Sequence, residues 1–243
     1  MKKKVLILVA FIVSFSINTF AQIDDESFWY RDRSDETEYE GIVEYDKYNP
    51  IVGGDSVRYC GKVPCNGWIK DYYEDGETLK HQGSYENGRL SSVYKNYYAN
   101  GQLERFFKIS ASGASSSVET YFENGNKHYK VVYRRMDIIE YEEYQENGKP
   151  EVLEKMDKKG VYHLYQKYFF PNGNIYSEMV LEDKEKKVYS YSTYFENGKK
   201  RSEGKRVHQK ATGDYIKHHR WVYYNEAGEV VKRENYSFGV IVE

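Results

Sequence analysis

The feature that most constrains this chain is a turn dipeptide that keeps returning. Asn-Gly or Asp-Gly recurs with glycine at positions 67, 76, 88, 101, 125, 148, 173 and 198, and a variant, Glu-Ala-Gly, ends at Gly228. From Gly101 onward the steps are 24, 23, 25, 25 and 30 residues. The phrase TYFENGNK at 120–127 therefore reappears as TYFENGKK at 193–200, three periods later. Self-similarity at a fixed period of this size marks a repeat architecture, in which each unit buries its apolar face against its neighbours.

Asn-Gly between strand-forming runs signals a hairpin, and a type I′ turn, with positive φ at both central residues, is the form expected. The repeat turns are thus centred on Gly76, Gly88, Gly101, Gly125, Gly148, Gly173, Gly198 and Gly228. Opposite charges flank several of them: Glu86 with Arg89, Glu146 with Lys149, Glu196 with Lys199. Such pairs are expected to face one another beside the turn. A second, polar turn falls midway in each period, at 134–137, 156–160 and 182–187. Two units depart from the pattern. Pro171 precedes Asn172-Gly173 and has no N–H to close the turn, which predicts a looser end there. The last unit carries the insertion RVHQKATGD (206–214), read as one long basic hairpin loop, and its Gly228 suits a three-residue turn.

Twenty-seven tyrosines and eleven phenylalanines favour strands, because flat rings pack well on a pleated, half-buried surface. The fold class is all-β: an elongated antiparallel array of stacked β-hairpins. A lone hairpin is marginal in water. Stacking hairpins lets the aromatics of one repeat cover those of the next, predicting a continuous ladder of buried rings.

The chain opens with Lys2, Lys3 and Lys4, an apolar run from Val5 to Ile17, then Thr19-Phe20-Ala21. This is the pattern of a secretory signal peptide cut after Ala21, the run being too short to span a bilayer. Residues 1–21 are thus read as the signal peptide, 22–56 as an acidic segment or cap, and 57–243 as the repeats. The mature protein is expected in the periplasm or the medium, not spanning a membrane. Cys60 and Cys65 flank a turn, and an oxidising compartment favours a short-loop disulfide over free thiols. A formal net charge of −2 argues against a nucleic-acid partner.

The stretch GWIKDYYEDGETLKHQGSYENGRLSSVYKNYYANGQLE (67–104) resembles the MORN-repeat variant of YwqK-type antitoxin repeat proteins. Trp68, Tyr72, Tyr73, Gly76, Leu79, Gly83, Tyr85, Asn87, Gly88, Tyr94, Tyr97, Tyr98, Asn100, Gly101 and Leu103 fall on that pattern. The likeness extends over about residues 57–236 and is strongest at 60–105 and 190–236. It implies a MORN-like repeat sheet or solenoid, and an antitoxin or immunity role as one functional reading. A weaker likeness to tyrosine- and tryptophan-rich cell-wall binding repeats implies a glycan ligand instead.

No phosphate-binding loop, nucleophile elbow or zinc-protease motif is present in the sequence. His218 and His219 are adjacent and, on a strand, would face opposite sides. No catalytic, cofactor-binding or metal-ligating residue is assigned, and the chain is not expected to be an enzyme. One basic stretch stands out: Lys199, Lys200, Arg201, Lys205, Arg206 and Lys210 are a candidate contact surface for lipid headgroups or an acidic polymer. The expected role is an exported interaction scaffold with an envelope protein as partner, and glycan binding through aromatic faces is the alternative.

Overall fold

The structure is a computed structural model that describes residues 57–110, 112–135 and 137–242. The described residues belong to one compact unit. The expected signal peptide and acidic segment lie outside the described residues.

Among the described residues all regular structure is β. A small hairpin, β1 (Tyr59–Cys60) and β2 (Val63–Pro64), precedes the main sheet. That sheet begins with β3 (Gly67–Tyr72), β4 (Leu79–Glu86), β5 (Arg89–Tyr97), β6 (Leu103–Ile109) and β7 (Ser115–Tyr121). It continues through β8 (Lys127–Arg134), β9 (Asp137–Tyr144), β10 (Pro150–Met156), β11 (His163–Phe169) and β12 (Ile175–Asp183). β13 (Val188–Tyr194), β14 (Lys200–His208), β15 (Tyr215–Tyr224), β16 (Val230–Ser237) and β17 (Val240–Val242) complete it. These fifteen strands lie in sequence order, each antiparallel to the next, in an open sheet of consecutive hairpins that does not close into a barrel. The expectation of a MORN-like hairpin array holds.

The asparagine turns occupy one margin of the sheet, but they are not the turns expected. In each regular unit the first turn residue donates its N–H to a carbonyl four residues on, and the glycine donates back to that first residue. Tyr98 N–H reaches Gln102 O at 2.9 Å and Gly101 N–H reaches Tyr98 O at 2.9 Å. Gly101 sits at φ 84°, whereas Asn87 is the one turn asparagine with positive φ (51°). These are three-residue loops, a type I turn followed by a left-handed glycine and a bulge. The register accordingly slips after Asn96, Thr193 and Tyr223. Asparagine is selected here by its side chain. Asn100 Oδ1 accepts the Gln102 N–H at 2.9 Å, an Asx turn spanning the glycine, and Asn124, Asn147, Asn172 and Asn197 do the same. The two-residue form occurs at Glu86–Arg89, on the opposite margin, so Gly88 is not in line with the other turn glycines.

Three local expectations change with the turn type. Pro171 occupies the second turn position, where its fixed φ is suited, and the closing bonds come from Phe170 and Gly173, both at 2.8 Å. The turn is therefore as tight as its neighbours. Glu146 and Glu196 lie inside their loops and do not pair with Lys149 and Lys199. Those ammonium groups reach carbonyls of the following turn instead, at Asn172 (2.8 Å) and Ala227 (3.4 Å). Finally, the insertion at 206–214 mostly lengthens β14 and β15, leaving Gln209–Asp214 as the loop.

Successive turns clasp one another. Asn100 Nδ2 donates to Glu123 O, Asn124 and Asn126 to Glu146 O, and Asn172 and Asn174 to Glu196 O, at 2.8 to 3.1 Å. Tyrosines do likewise: Tyr73 Oη bonds Tyr97 O at 2.6 Å and Tyr98 Oη bonds Tyr121 O at 2.7 Å. The period of about 24 residues is thus the distance over which one turn's side chains reach the next turn's backbone.

All the large buried side chains of the sheet share one face. A single cross-strand row runs Gly83, Tyr94, Phe107, Val118, Val131, Tyr141, Glu154, Gln166, Met179, Tyr191, Gly204. The rings do not form the continuous ladder expected. One cluster holds Cys65, Tyr85, Leu90, Tyr94, Phe107 and Val118, and a second holds Met179, Tyr189, Tyr191 and Trp221. Between them the row turns polar. The buried Glu154 carboxylate accepts from Gln166 (2.9 Å) and Tyr168 Oη (2.7 Å). His163 N–H donates to Tyr215 Oη at 2.8 Å, although β11 and β15 are four strands apart. In a flat sheet they would lie about 19 Å apart. The sheet therefore coils toward this face, which is how a single layer buries its own rings.

Candidate functional site

The opposite face carries a charged ladder. Its central row reads Lys70, Gln82, Lys95, Phe106, Glu119, Lys130, Glu142, Leu153, Lys167, Glu178, Ser192, Glu203. Alternation along each strand places these side chains away from the aromatic clusters. From β8 to β14 the amines meet carboxylates, across strands in every case but Lys200, whose partner lies on its own strand. Lys130 bonds Glu140 and lies 3.3 Å from Glu142, and Lys155 lies 2.8 Å from Glu140. Lys167 lies 3.4 Å from Glu178, Lys200 2.6 Å from Glu203, and Lys205 bonds Glu182.

A row of aromatics borders the ladder beside the asparagine margin: Tyr97, Tyr121, Tyr144, Phe169, Tyr194 and Tyr224. Four of them donate hydroxyls to the ladder carboxylates, Tyr121 to Glu119 (2.8 Å), Tyr144 to Glu142 (3.1 Å), Tyr194 to Glu178 (2.7 Å) and Tyr224 to Glu203 (2.6 Å). Burial first, then the neighbouring carboxylate, pushes Tyr121, Tyr144 and Tyr194 up to about 12. For Glu140, burial pushes upward, but the bonds from Lys130 and Lys155 outweigh it and hold the carboxyl below its ordinary value. Bonds from Lys200 and Tyr224 lower Glu203 in the same way.

The signs give a pH profile. A lowered carboxyl stabilises the fold above its ordinary range, near pH 4.3, and that stability is lost as pH falls through the folded value. A raised phenol contributes stability below about pH 10 that is lost as pH rises toward 12. Melting followed across pH should show a plateau between about pH 5 and 9.5 with a decline on each side. A melting temperature that stays constant down to about pH 3 would show that the ladder contributes nothing.

The six basic residues read as one contact surface do not come together. Lys200 and Lys205 belong to the ladder, and Lys199 reaches the following turn. The Arg201 guanidinium lies 6.0 Å from the Phe195 ring centre, and Arg206 lies 3.9 Å above Tyr191 on the aromatic face. Lys210 is exposed in the loop on the opposite margin. Sequence proximity concealed this, because strand alternation and the bulge in β14 send neighbours to different faces. His218 and His219 also depart from expectation: His219 has φ 60°, and the two rings lie 4.1 Å apart, side by side. Among the described residues, no group of three or more His, Cys, Asp or Glu side chains is arranged to hold a metal.

Cys60 and Cys65 form a disulfide, with Cα atoms 5.0 Å apart. Cys65 is buried in the first aromatic cluster, and its carbonyl accepts the Gly88 N–H at 2.8 Å. The other turn glycines lie along the asparagine margin as described above.

An open sheet of consecutive antiparallel hairpins, clasped turn to turn at a period of about 24 residues, defines a MORN-like repeat array. The MORN repeat variant family matches the chain at residues 90–105 and 162–183. The first match lies within the stretch that carried the resemblance, and the second lies in the middle of the array rather than at 190–236. No curated protein matches the chain. Among solved structures, a mutant of S. aureus TarM in complex with fondaparinux, alpha-GlcNAc-glycerol and UDP is 10% identical, with a TM-score of 0.22. That match covers 72% of this chain and 27% of the TarM chain. A second crystal structure of TarM gives the same figures. A superposition of that quality bears on neither fold nor activity.

Proposed function

We propose that this chain is an exported, non-catalytic scaffold of the cell envelope that holds a protein partner against its ladder face. MORN repeats are commonly protein- or membrane-binding modules and are generally non-catalytic. The observation that carries the reading is the ladder itself. A tyrosine, a carboxylate and an amine meet four times along this face, at Tyr121–Glu119–Lys127, Tyr144–Glu142–Lys130, Tyr194–Glu178–Lys167 and Tyr224–Glu203–Lys200. The other face is consumed by its own core. Export is supported by the amino-terminal pattern and by the Cys60–Cys65 disulfide, which suits an oxidising compartment.

A photo-crosslinking residue placed at Tyr165, on the ladder face, tests this directly. One dominant envelope protein should be captured there and not from the same residue placed at Val131, which is buried on the other face. No capture at Tyr165, or the same product from both positions, would sink the scaffold reading.

A further inference from the structure

The ladder is not uniform, and its first four strands differ from the rest. On β3 to β6 this face carries Lys70, Lys80, Arg89, Lys95 and Lys108 against two carboxylates, Glu86, which stands opposite Arg89, and Glu104. From β8 to β14 each ladder lysine has a carboxylate partner. Lys70, Lys95 and Lys108 are in no ion pair among the described residues; their cross-strand partners are Gln82, Phe106, Val93 and Ser117.

The same strands display rings outward. Trp68 is 61% exposed and Tyr72 is 48% exposed, with Lys70 between them on β3. Alternate residues of a strand lie about 6.8 Å apart on one face, so this strand presents ring, ammonium, ring in a line. Lys95 Nζ lies 5.6 Å from the Phe106 ring centre, two strands from Lys70 and so about 10 Å away. Neutral hydrogen-bonding groups fill the spaces. Ser84 and Ser91 are joined at 3.0 Å, and Gln82 donates to Tyr97 Oη at 2.8 Å.

We infer that the β3–β6 face, through Trp68, Lys70, Tyr72, Lys95 and Lys108, binds an anionic polysaccharide of uronic-acid type. A pyranose ring offers a flat C–H face to an exposed indole, its hydroxyls suit serine and amide groups, and its carboxylates suit ammonium groups about 10 Å apart. An acidic peptide would gain most from backbone pairing at a strand edge. Here the ammonium groups and rings project from the face rather than along an edge, and β4, β5 and β6 are hydrogen-bonded on both sides. Among the described residues β3 ends the sheet and has one open edge, and the poly-glutamate arm below tests that route. The inference does not depend on the scaffold reading, since that partner is placed on β7 to β14.

The test is titration of the exported chain with polygalacturonate, read by tryptophan fluorescence and by calorimetry. Dextran, poly-glutamate and phosphatidylglycerol vesicles are run in parallel. Polygalacturonate should bind and dextran should not. Lys70→Gln combined with Lys95→Gln should weaken binding about tenfold and reduce its salt dependence. In a Trp29→Phe background, Trp68→Ala should remove the fluorescence response, because Trp221, the remaining tryptophan, is buried. Lys210→Gln, in the loop at the far margin, should change neither. These side chains are exposed or half-buried, and an unchanged melting temperature in each variant shows that folding is intact. Absence of polygalacturonate binding, or undiminished binding by the double lysine variant, would overturn the inference. Tighter binding of poly-glutamate or of the vesicles would overturn it as well, in favour of an acidic protein segment or a lipid surface.

Discussion

Gly204→Ala should destabilise the carboxy-terminal half of the sheet by about 3 kcal/mol, a large loss for one methyl group. The reason is a ring lying flat on backbone. A Cβ at position 204 would stand 2.4 Å from Trp221 Cδ2, 2.5 Å from Cε2 and 2.6 Å from Cγ. The indole cannot withdraw easily, because it is 1% exposed and its Nε1–H donates to Lys205 O at 3.1 Å. Tyr191 and Tyr236 flank it at ring separations of 5.7 and 6.2 Å, and Lys217 Nζ lies 4.8 Å from the ring. Near-ultraviolet circular dichroism during heating reads this environment. A fall of roughly 8 °C in the midpoint is expected, given the usual shift per kcal/mol for a chain of this size. In a repeat array the loss should appear first in β13 to β16. A Gly204→Ala protein that melts with the wild type would show that the indole has room to move. A double-mutant cycle with Trp221→Leu sharpens the point. The cost of the added methyl should shrink markedly once the indole is gone.

That glycine illustrates what was legible in the sequence and what was not. The hairpin period, the all-β class and the two alternating sets of turns could all be read from Asn-Gly spacing and strand-forming runs. The turn type could not. Asparagine before glycine serves the two-residue loop at 87–88 and the three-residue loop at 100–101 equally well. What separates them is one extra residue in the ladder, visible only when both strands are in register. The same extra residue explains the failed ion pairs at Glu146 and Glu196, and a bulge at His219 undid the expectation that its ring opposes that of His218. Gly83 and Gly204 lie in no turn; Gly83 falls on the family pattern, but neither position revealed its role, since a close contact with a ring is a property of the neighbouring strand. The ladder face was recoverable in part. Glu119 with Tyr121 and Glu142 with Tyr144, two residues apart, place carboxylate and phenol on one face of a strand. Reading charge by sequence interval instead drew attention to 199–210, a stretch the strands divide between two faces and two margins. The unpaired lysines of β3 to β6 were obscured for the same reason, lying 25 and 13 residues apart in the chain.

Tyr94→Ala and Tyr194→Ala, one tyrosine from each face, should differ widely in cost. Tyr94 has no exposure and stacks on Phe107 with ring centres 5.0 Å apart and planes 19° from parallel. It lies beside Gly83 in register, and a Cβ there would meet Tyr94 Cβ at 3.1 Å. Truncation leaves a cavity between the buried Phe107 and His81 rings, whose own packing keeps them from filling it. The expected cost is about 4 kcal/mol. Tyr194 is half-buried on the ladder face, where its hydroxyl donates to Glu178 at 2.7 Å. Removing it exposes a carboxylate that Lys167 still neutralises at 3.4 Å, so the loss should be about 1 kcal/mol. Urea titration of both variants gives the comparison, and the two positions are far enough apart for their effects to add in the double variant. Equal shifts would mean that the two faces contribute alike, and the division into a self-buried aromatic face and a solvated ladder would fail. A large difference would place nearly all the apolar stabilisation on one side of a single sheet. The ladder side would then be free to vary its charges from strand to strand at little cost in stability, as it does between β3–β6 and β8–β14.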